Sequence, residues 1–295
     1  MVMRPSAFIA LLGALLLMAG AAPPGRGTAP AAREGGDGLA LRQELLIPLP
    51  GERLSMHTTV LRPAGAGPFP LAVINHGSSQ SSLERAQLPS PEYPVVSQWL
   101  LDRGYAVALP LRPGHGATGG PYFEDQGRCA NPDYVKSGLA TAASIQAAID
   151  YLTAQPYVRK TDVIVLGQSA GGWGALALAS RNPPMLRAAI NFAGGRGGHA
   201  NGQPNNNCAA DRLIEAAGAF GQTARISTLW LYAQNDSYFA PSLSSFMFET
   251  FDKSGGLGEY DLLPPFGPEG HLLADAPDAL ALWAPIVSKF LAAHP

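Results

Sequence analysis

The stretch Asp162-Val-Ile-Val-Leu-Gly-Gln-Ser-Ala-Gly-Gly-Trp-Gly174 joins an apolar run to a glycine-rich turn, and an alanine-rich segment follows it as far as Ala179. The continuous β-branched run favours a strand buried on both faces, and the alanine-rich segment favours a helix. A sharp strand-to-helix turn lifts the hydroxyl of Ser169 off the backbone, and Gly167 and Gly171 relieve the crowding because neither carries a Cβ. The stretch therefore predicts a nucleophile elbow at Ser169. The alternative is a glycine-rich turn that only lets helix and strand approach each other.

Short apolar runs alternate with helical segments on both sides of this turn. The predicted strands cover residues 71–75, 105–109, 163–166, 188–192, 228–233 and 259–263. The predicted helices cover residues 93–103, 139–154, 170–179, 241–253 and 277–293. Such alternation predicts an α/β fold with a mostly parallel sheet and helices on both faces. Before it, residues 45–49 and 55–62 flank the turn residues 50–53 and predict an antiparallel hairpin at the start of the domain.

The composition is that of one large globular domain. The 295 residues are 46% hydrophobic and 14% charged, which suffices for a single core, and we place the catalytic domain at residues 40–295. The formal net charge is −2, so no overall basic field exists to hold nucleic acid or anionic lipid.

The first 39 residues form two separate units. Arg4 is the lone charge before the apolar run 8–18, and small residues at 19–21 fit a signal-peptidase site, so residues 1–21 predict a signal peptide. Residues 22–39 are rich in Pro, Gly and Ala and predict a flexible leader. The protein is therefore expected in the periplasm or secreted, without a membrane anchor after cleavage. An uncleaved N-terminal anchor is the alternative.

The chain has two cysteines, Cys129 and Cys208, and both lie in polar, loop-like surroundings. In an oxidising compartment they are expected to pair, with two free thiols as the alternative.

Polar residues follow the predicted strands at the end where an open parallel sheet gathers its functional groups. His76, Gly77 and Ser78 come after the first of these strands, Ser169 after the third, Asp236 after the fifth, and His271 after the last. The spacing predicts that these residues meet at one edge of the sheet.

The order Ser169, Asp236, His271, with His76-Gly77 after an early strand, resembles the α/β-hydrolase fold. The segments Tyr232 to Pro241 and Gly270-His271 are similar to those of the dienelactone hydrolase and prolyl-oligopeptidase-like branches. The resemblance covers nearly all of residues 41–295, and it implies a serine hydrolase. Members of the dienelactone branch can use a cysteine where this chain has Ser169.

The residue chemistry assigns roles to this set. Ser169 is expected to attack a carbonyl carbon, His271 to move the proton, and Asp236 to orient and stabilise the imidazolium. Backbone N–H groups of Ser78 and Ala170 are expected to receive the oxyanion, so the side-chain change Ser78→Ala is expected to cost little. The chemistry requires no cofactor.

Several other residues compete for these roles or suggest other sites. Asp236 is favoured as the acid because it comes directly off a strand; the competing carboxylates are Asp211, Asp252, Asp261 and Asp275. His76 and His115 are expected to support loops, and His271 itself has an ordinary surface histidine as its alternative. No metal-ligand spacing links the histidines and cysteines, so no metal site is expected.

Aromatic residues in the predicted active-site loops suggest walls of a substrate pocket. They are Tyr122, Phe123, Trp173, Tyr238 and Phe239. Their faces could bind an acyl or aryl group, although Trp173 and Phe239 are equally suited to core packing.

The sequence therefore predicts an exported serine hydrolase that cleaves small or medium carboxylic esters through an acyl-enzyme. A peptidase or acyl-peptidase on the same fold is the second hypothesis. A non-catalytic binding protein is the third, and retention of a full set of catalytic residues argues against it.

Overall fold

A computed structural model describes residues 40–295 of the chain. The predicted signal peptide, residues 1–21, and the predicted leader, residues 22–39, lie outside the described residues.

The described residues form one eight-stranded sheet in the order β1-β2-β4-β3-β5-β6-β7-β8. The strands are β1 (Leu41–Pro48), β2 (Ser55–Arg62), β3 (Leu71–Asn75), β4 (Ala106–Pro110), β5 (Val163–Gln168), β6 (Leu186–Phe192), β7 (Ser227–Ala233) and β8 (Gly258–Leu263). Strand β2 runs antiparallel to β1 and β4, and every pairing from β4 through β3 to β8 is parallel. The predicted N-terminal hairpin and mostly parallel sheet are confirmed.

Seven α-helices accompany the sheet within residues 40–295. They are α1 (Ser82–Ala86), α2 (Pro94–Leu101), α3 (Tyr134–Thr153), α4 (Ala170–Ala179), α5 (Ala210–Thr223), α6 (Pro241–Lys253) and α7 (Leu280–Ala293). Strands β3 to β7 are buried along nearly their whole length, which follows from helices covering both faces of the sheet. No helix in this part of the chain is long and apolar enough to cross a membrane.

Helices α3, α5 and α7 differ from the predictions, and the short helix α1 was not predicted. Helix α3 begins five residues earlier than predicted, at Tyr134, because the Asp133 carboxylate accepts the N–H of Lys136 and caps it. Helix α5 was not predicted, since glycines at positions 218 and 221 weaken its helical pattern. The segment Pro277–Ala279 forms a 3₁₀ turn, so α7 starts at residue 280.

The two glycines of α5 have a packing role that accounts for their presence in a helix. A Cβ at Gly221 would collide with the carbonyl of Phe251, and one at Gly218 would lie 2.8 Å from the Thr250 methyl group. Both contacts come from α6. The glycines therefore let α5 and α6 pack in close contact, and this gain offsets their poor helix propensity.

A disulfide joins Cys129, in the loop after β4, to Cys208, just before α5. The N–H of Cys208 donates to the carbonyl of Gly197 at 2.9 Å, and the hydroxyl of Tyr134 donates to the carbonyl of Cys208. The bridge therefore ties together the loops that follow β4 and β6, two strands whose carboxyl ends lie at the same edge of the sheet.

We expect loss of this bridge to destabilise the fold, because it closes a loop with a sequence separation of 79 residues. The Cys129→Ser/Cys208→Ser double variant should lose about 2–4 kcal/mol of unfolding free energy in urea titrations at constant pH. Adding a reductant should produce a similar loss in the wild-type protein and none in the double variant. Equal stability of both proteins under oxidising conditions would contradict a stabilising bridge.

Candidate active site

Ser169 lies at a sharp turn between β5 and α4. Its backbone has φ +55° and ψ −122°, a conformation that residues with a Cβ rarely adopt. Its N–H donates to the carbonyl of Phe192 at 3.0 Å, which fixes the turn to the end of β6. A Cβ at Gly167 would collide with the backbone of Gly171, and one at Gly171 would collide with the carbonyl of Asn75. The two glycines permit the turn for the steric reason that the sequence predicts.

His271 and Asp236 meet in the loops that follow β8 and β7. The imidazole Nδ1 lies 3.2 Å from Asp236 Oδ2, and both residues are buried, at 5% and 2% exposure. The other carboxylate oxygen, Oδ1, accepts the backbone N–H groups of Tyr238 at 2.8 Å and Phe239 at 3.0 Å. These bonds fix the carboxylate, so Asp236 can hold the imidazole with Nδ1 protonated and Nε2 free to accept a proton.

Ser169 and His271 line one cavity of about 860 Å³ at the carboxyl edge of the sheet. Gln168, the residue before the serine, donates from Nε2 to the carbonyl of His271 at 2.8 Å and so links the two loops directly. Among residues 40–295 no hydrogen bond joins Ser169 Oγ to the imidazole. Such bonds are often long without substrate and tighten when substrate binds.

The two residues predicted to supply the oxyanion donors, Ser78 and Ala170, line the same cavity as Ser169. Ala170 opens helix α4, so its N–H is one of the helical amides without a partner inside the helix. Gly77 approaches the serine so closely that a Cβ there would lie 3.3 Å from Ser169 Cβ and 3.8 Å from its Oγ. Ser78 follows in the same loop and lines the same cavity.

Glu269, a residue that the sequence analysis did not single out, links the loop that carries Asp236 to the loop that carries His271. Its Oε1 accepts the backbone N–H of His271 at 3.0 Å and that of Ser237 at 3.1 Å, while Oε2 accepts the Ser237 hydroxyl. Burial alone would raise the pKa of Glu269, but the hydrogen bonds from Ser237 and His271 outweigh it and lower that pKa. The signal in the sequence that could have identified Glu269 was its position two residues before His271.

Two of the predicted pocket aromatics that line the cavity, Tyr238 and Tyr122, have charged or aromatic groups packed on their faces. Tyr238 is stacked between His271, with ring centroids 4.2 Å apart, and His199, at 3.5 Å. The guanidinium of Arg85 lies 3.8 Å from the centroid of Tyr122. The cavity therefore presents ring edges and polar groups, rather than the open aromatic faces that the sequence suggested.

Of the other three aromatics, Phe239 lines the cavity wall and is almost fully buried. Trp173 does not reach the cavity: it is fully buried, packs on Phe220 at 4.9 Å and donates from Nε1 to the carbonyl of Tyr134 at 2.9 Å. This is the core-packing alternative. Phe123 does not line the cavity either.

Three charged side chains, Arg112, Glu124 and Arg196, form a buried arginine cluster behind the cavity. The two guanidinium groups both contact the Glu124 carboxylate, and each of the three residues is at most 5% exposed. Burial alone would raise the pKa of Glu124, but the two arginines outweigh it and hold the pKa far below its usual range. The cluster therefore has a net charge of one positive unit, and its member Arg196 forms part of the cavity wall.

His76 and His115 lie beside this cluster as neutral side chains. Burial, assisted by the charge of Arg112, lowers the pKa of His115 from 6.5 to about 4 and lowers that of His76 well below its usual value. His76 accepts the N–H of Arg112 at Nε2, 3.1 Å away, so it supports the loop as the sequence predicts.

The carboxylates that competed with Asp236 lie elsewhere. Asp211 and Asp252 are exposed on helices, Asp261 lies on β8, and Asp275 accepts the N–H groups that open α2. Within residues 40–295 no group of three or more His, Cys, Asp or Glu side chains could hold a metal ion.

The family model of X-Pro dipeptidyl-peptidase (S15 family) matches residues 51–242, which is more than half of the chain. The chain belongs to the S15 peptidase family. The S15 match includes the elbow, the predicted acid and the oxyanion loop, and it ends before His271. No curated protein sequence matches this S15 member significantly.

Solved structures similar to this S15 family member include both esterases and peptidases. A dienelactone hydrolase from Anabaena variabilis is 18% identical, with a TM-score of 0.57 over 86% of this chain and 98% of the other. The Pyrococcus furiosus esterase Pf2001 is 14% identical, with a TM-score of 0.59 over 86% and 92%. A Pyrococcus horikoshii acylaminoacyl peptidase is 11% identical, with a TM-score of 0.59 over 79% and 38%. At these identities the likeness confirms the α/β-hydrolase fold.

The geometry predicts a large effect of Asp236→Asn on turnover. The amide would favour the wrong imidazole tautomer, so hydrolysis should fall by about four orders of magnitude in a folded protein. Turnover of an activated ester and circular dichroism would check this. Asp211→Asn, a change of the same kind on an exposed helical site, should keep wild-type turnover, and near-normal turnover of Asp236→Asn would contradict the assignment of the acid.

The depressed pKa of His115 predicts acid sensitivity of the fold. As the pH falls from 6.5 towards 4, the unfolded chain binds a proton that the native protein excludes, so stability decreases. In urea titrations, His115→Asn should reduce the stability difference between pH 7 and pH 5 by on the order of 2 kcal/mol. The exposed-site change His57→Asn should leave that difference as in the wild type. An unchanged difference in His115→Asn would contradict the prediction.

Proposed function

We propose that this protein is an exported serine hydrolase that cleaves carboxylic esters through Ser169, His271 and Asp236. The observation that carries the proposal is the buried contact of 3.2 Å between Asp236 and His271, because His271 lines the same cavity as Ser169, a serine on a strained elbow. A strained turn and a fixed acid–histidine pair are the parts that serine nucleophiles require.

The proposed reaction has two stages, acylation and deacylation, which are joined by an acyl-enzyme. Ser169 Oγ attacks the carbonyl carbon while His271 Nε2 accepts the hydroxyl proton, and the tetrahedral intermediate then breaks its bond to the alkoxide oxygen. That oxygen takes the proton from His271 and leaves as the alcohol. Water repeats the sequence on the acyl-enzyme and releases the carboxylic acid. Asp236 remains ionised throughout and stabilises the imidazolium.

The developing oxyanion would be received by the backbone N–H groups of Ala170 and Ser78. Ala170 also adds the positive end of the α4 helix dipole. The net positive charge of the buried arginine cluster lies on the same side of the cavity as the Ser78 loop and favours negative charge in the transition state.

The walls of the cavity suit a short acyl group and a polar leaving group. Aliphatic side chains on the walls are few, with Ala170 at the elbow and the largely exposed Leu272 at the rim. Polar side chains make up much of the remainder, among them Ser79, Gln80, Glu84, Asp125, Gln126 and Asn201. A long alkyl chain would leave these polar groups unpaired, which disfavours its binding.

A second candidate function, amide cleavage as a peptidase, is favoured by the S15 family match. The same serine, histidine and acid can cleave either bond. Amide cleavage depends more strongly on proton donation by His271, because the nitrogen leaves only after His271 has protonated it.

Export is part of the proposal and has one structural support. The disulfide between Cys129 and Cys208 is typical of proteins in an oxidising compartment. Cleavage after residue 21 would be read from N-terminal sequencing of the exported protein.

A fluorophosphonate probe tests the nucleophile. The wild-type protein should be labelled at Ser169, because the probe reacts with activated serines and forms a tetrahedral adduct. Ser169→Ala should lose the label while keeping its unfolding midpoint, and Ser180→Ala, a change in the helix cap outside the cavity, should retain it. Labelling that persists in Ser169→Ala, or its absence from folded wild-type protein, would contradict the proposal.

A panel of p-nitrophenyl esters and p-nitroanilides separates ester from amide cleavage. We expect acetyl and butyryl esters to be cleaved more efficiently than octanoyl and longer esters, and at least about a hundredfold more efficiently than aminoacyl and Xaa-Pro anilides. Comparable kcat/KM values for an Xaa-Pro anilide and the best ester would establish the peptidase instead.

A further inference from the structure

We propose that Tyr122 is a positioning residue that holds the oxyanion loop through a directed chain of hydrogen bonds from Arg196 to Ser78 and His115. The inference rests on the proposed function, since it concerns the loop that supplies the Ser78 N–H to the oxyanion. The chain starts at Arg196 Nη1, which donates to the Tyr122 hydroxyl at 2.7 Å. That hydroxyl lies 2.9 Å from Ser78 Oγ, which in turn lies 2.8 Å from His115 Nε2.

The environment of His115 sets the direction of every proton in this chain. Its Nδ1 lies 3.2 Å from the carbonyl oxygen of Arg112 and 3.0 Å from that of Pro113, and both oxygens can only accept. Nδ1 therefore carries the proton, and in the neutral ring Nε2 accepts the hydroxyl proton of Ser78. Since Ser78 has one proton, its oxygen accepts from Tyr122, whose own oxygen accepts from Arg196.

The chain is anchored in the buried arginine cluster, so it cannot shift without disturbing buried charge. Arg196 Nη2 also donates to Glu124 Oε2 at 2.5 Å and to Thr141 Oγ1 at 2.9 Å. Thr141 lies on α3, which packs against α4. A guanidinium fixed at two points places the Tyr122 hydroxyl, and through it Ser78, relative to the elbow.

Other side chains hold the backbone that follows Ser78. Tyr122 therefore acts on the position of Ser78 itself. Arg85 donates from Nη1 to the carbonyls of Ser79 and Gln80, both at 2.9 Å, while its guanidinium covers the Tyr122 ring. Gln80 donates from Nε2 to the carbonyl of Gly198 at 2.7 Å. The loop thus has fixed points on both sides of the cavity.

This arrangement changes the expectation for Ser78→Ala. The sequence assigned only the backbone N–H of Ser78 to the oxyanion, so loss of the hydroxyl was expected to cost little. In the structure the hydroxyl bridges Tyr122 and His115 and thereby orients that N–H. Its removal would also leave a buried imidazole nitrogen and a tyrosine proton without partners.

Tyr122→Phe tests the proposal because it removes one oxygen and keeps the ring beneath Arg85. We expect the single-turnover acylation rate with p-nitrophenyl acetate to fall roughly ten- to hundredfold, with KM within about a factor of two of the wild type. The inhibition constant of a boronic acid, whose tetrahedral adduct places an oxygen in the oxyanion site, should rise by a similar factor. Loss of the acceptor of Arg196 should also lower the thermal unfolding midpoint, so the rate and the inhibition constant are measured at a temperature where the variant is folded.

The control is Tyr260→Phe, because Tyr260 makes a matching bond outside the cavity. Its hydroxyl lies 2.9 Å from Ser244 Oγ, the same distance as in the Tyr122–Ser78 pair. This variant loses an equivalent tyrosine–serine bond and should keep wild-type acylation and boronic acid inhibition. A purely structural contribution of Tyr122 would lower stability without this selective loss of transition-state binding.

Ser78→Ala and the double variant Tyr122→Phe/Ser78→Ala complete the test. If both residues act through one link, the double variant should lose no more acylation rate than the worse single variant. Wild-type acylation in Tyr122→Phe, or strictly multiplicative losses in the double variant, would overturn the proposal while leaving the hydrolase function standing. Wild-type protein that neither reacts with fluorophosphonate nor hydrolyses the ester would overturn both the hydrolase function and the role of Tyr122. This result comes from the wild-type protein alone, so it is distinguishable from a failure of the Tyr122 proposal.

Discussion

The backbone strain at Ser169 is the constraint on which the rest of the cavity depends. A residue with a Cβ at φ +55° costs of order 1–3 kcal/mol and persists only where its surroundings leave no alternative. Ser169 follows β5, and its surroundings are the ends of the two neighbouring buried strands: Gly171 lies against Asn75 of β3, and the Ser169 N–H is bonded to Phe192 of β6. The buried sheet thus holds the hydroxyl in a conformation that an isolated turn would abandon.

Polar networks hold the loops around the elbow. On one side Glu269 joins the loop of Asp236 to the loop of His271 through three hydrogen bonds. On the other side the buried arginine cluster fixes Tyr122 and the loop after β3. Burying three charges costs desolvation energy, and their mutual attraction and hydrogen bonds offset that cost only when the geometry is well kept. Such networks give the loops defined positions, which preorganised oxyanion donors require.

The polar walls and the covered aromatic rings of the cavity restrict which substrates it can accept. Tyr238 has a histidine on each face, and Tyr122 has a guanidinium on one face. A substrate entering this cavity therefore meets hydrogen-bonding groups and ring edges. In this chain the walls are polar, which is the basis for proposing short acyl esters of polar alcohols.

The sequence by itself determined the order of strands and helices, the elbow and the residues that follow each strand, because these are recorded in local periodicity and in glycine positions. It failed at α5, where Gly218 and Gly221 serve a helix contact that only the packed structure contains. It also left Trp173 open between pocket wall and core and placed Phe123 at the cavity, since a residue's distance along the chain from a serine does not say which way its side chain points.

The tertiary structure alone decided that Glu269 joins two loops, that Arg112, Glu124 and Arg196 form one buried cluster, and that the Ser78 hydroxyl has fixed partners. Most of these contacts join residues from different loops that are separated by 30 or more positions. Their distances depend on how the parallel strands bring their carboxyl ends to one edge, and no local pattern in the sequence encodes that arrangement.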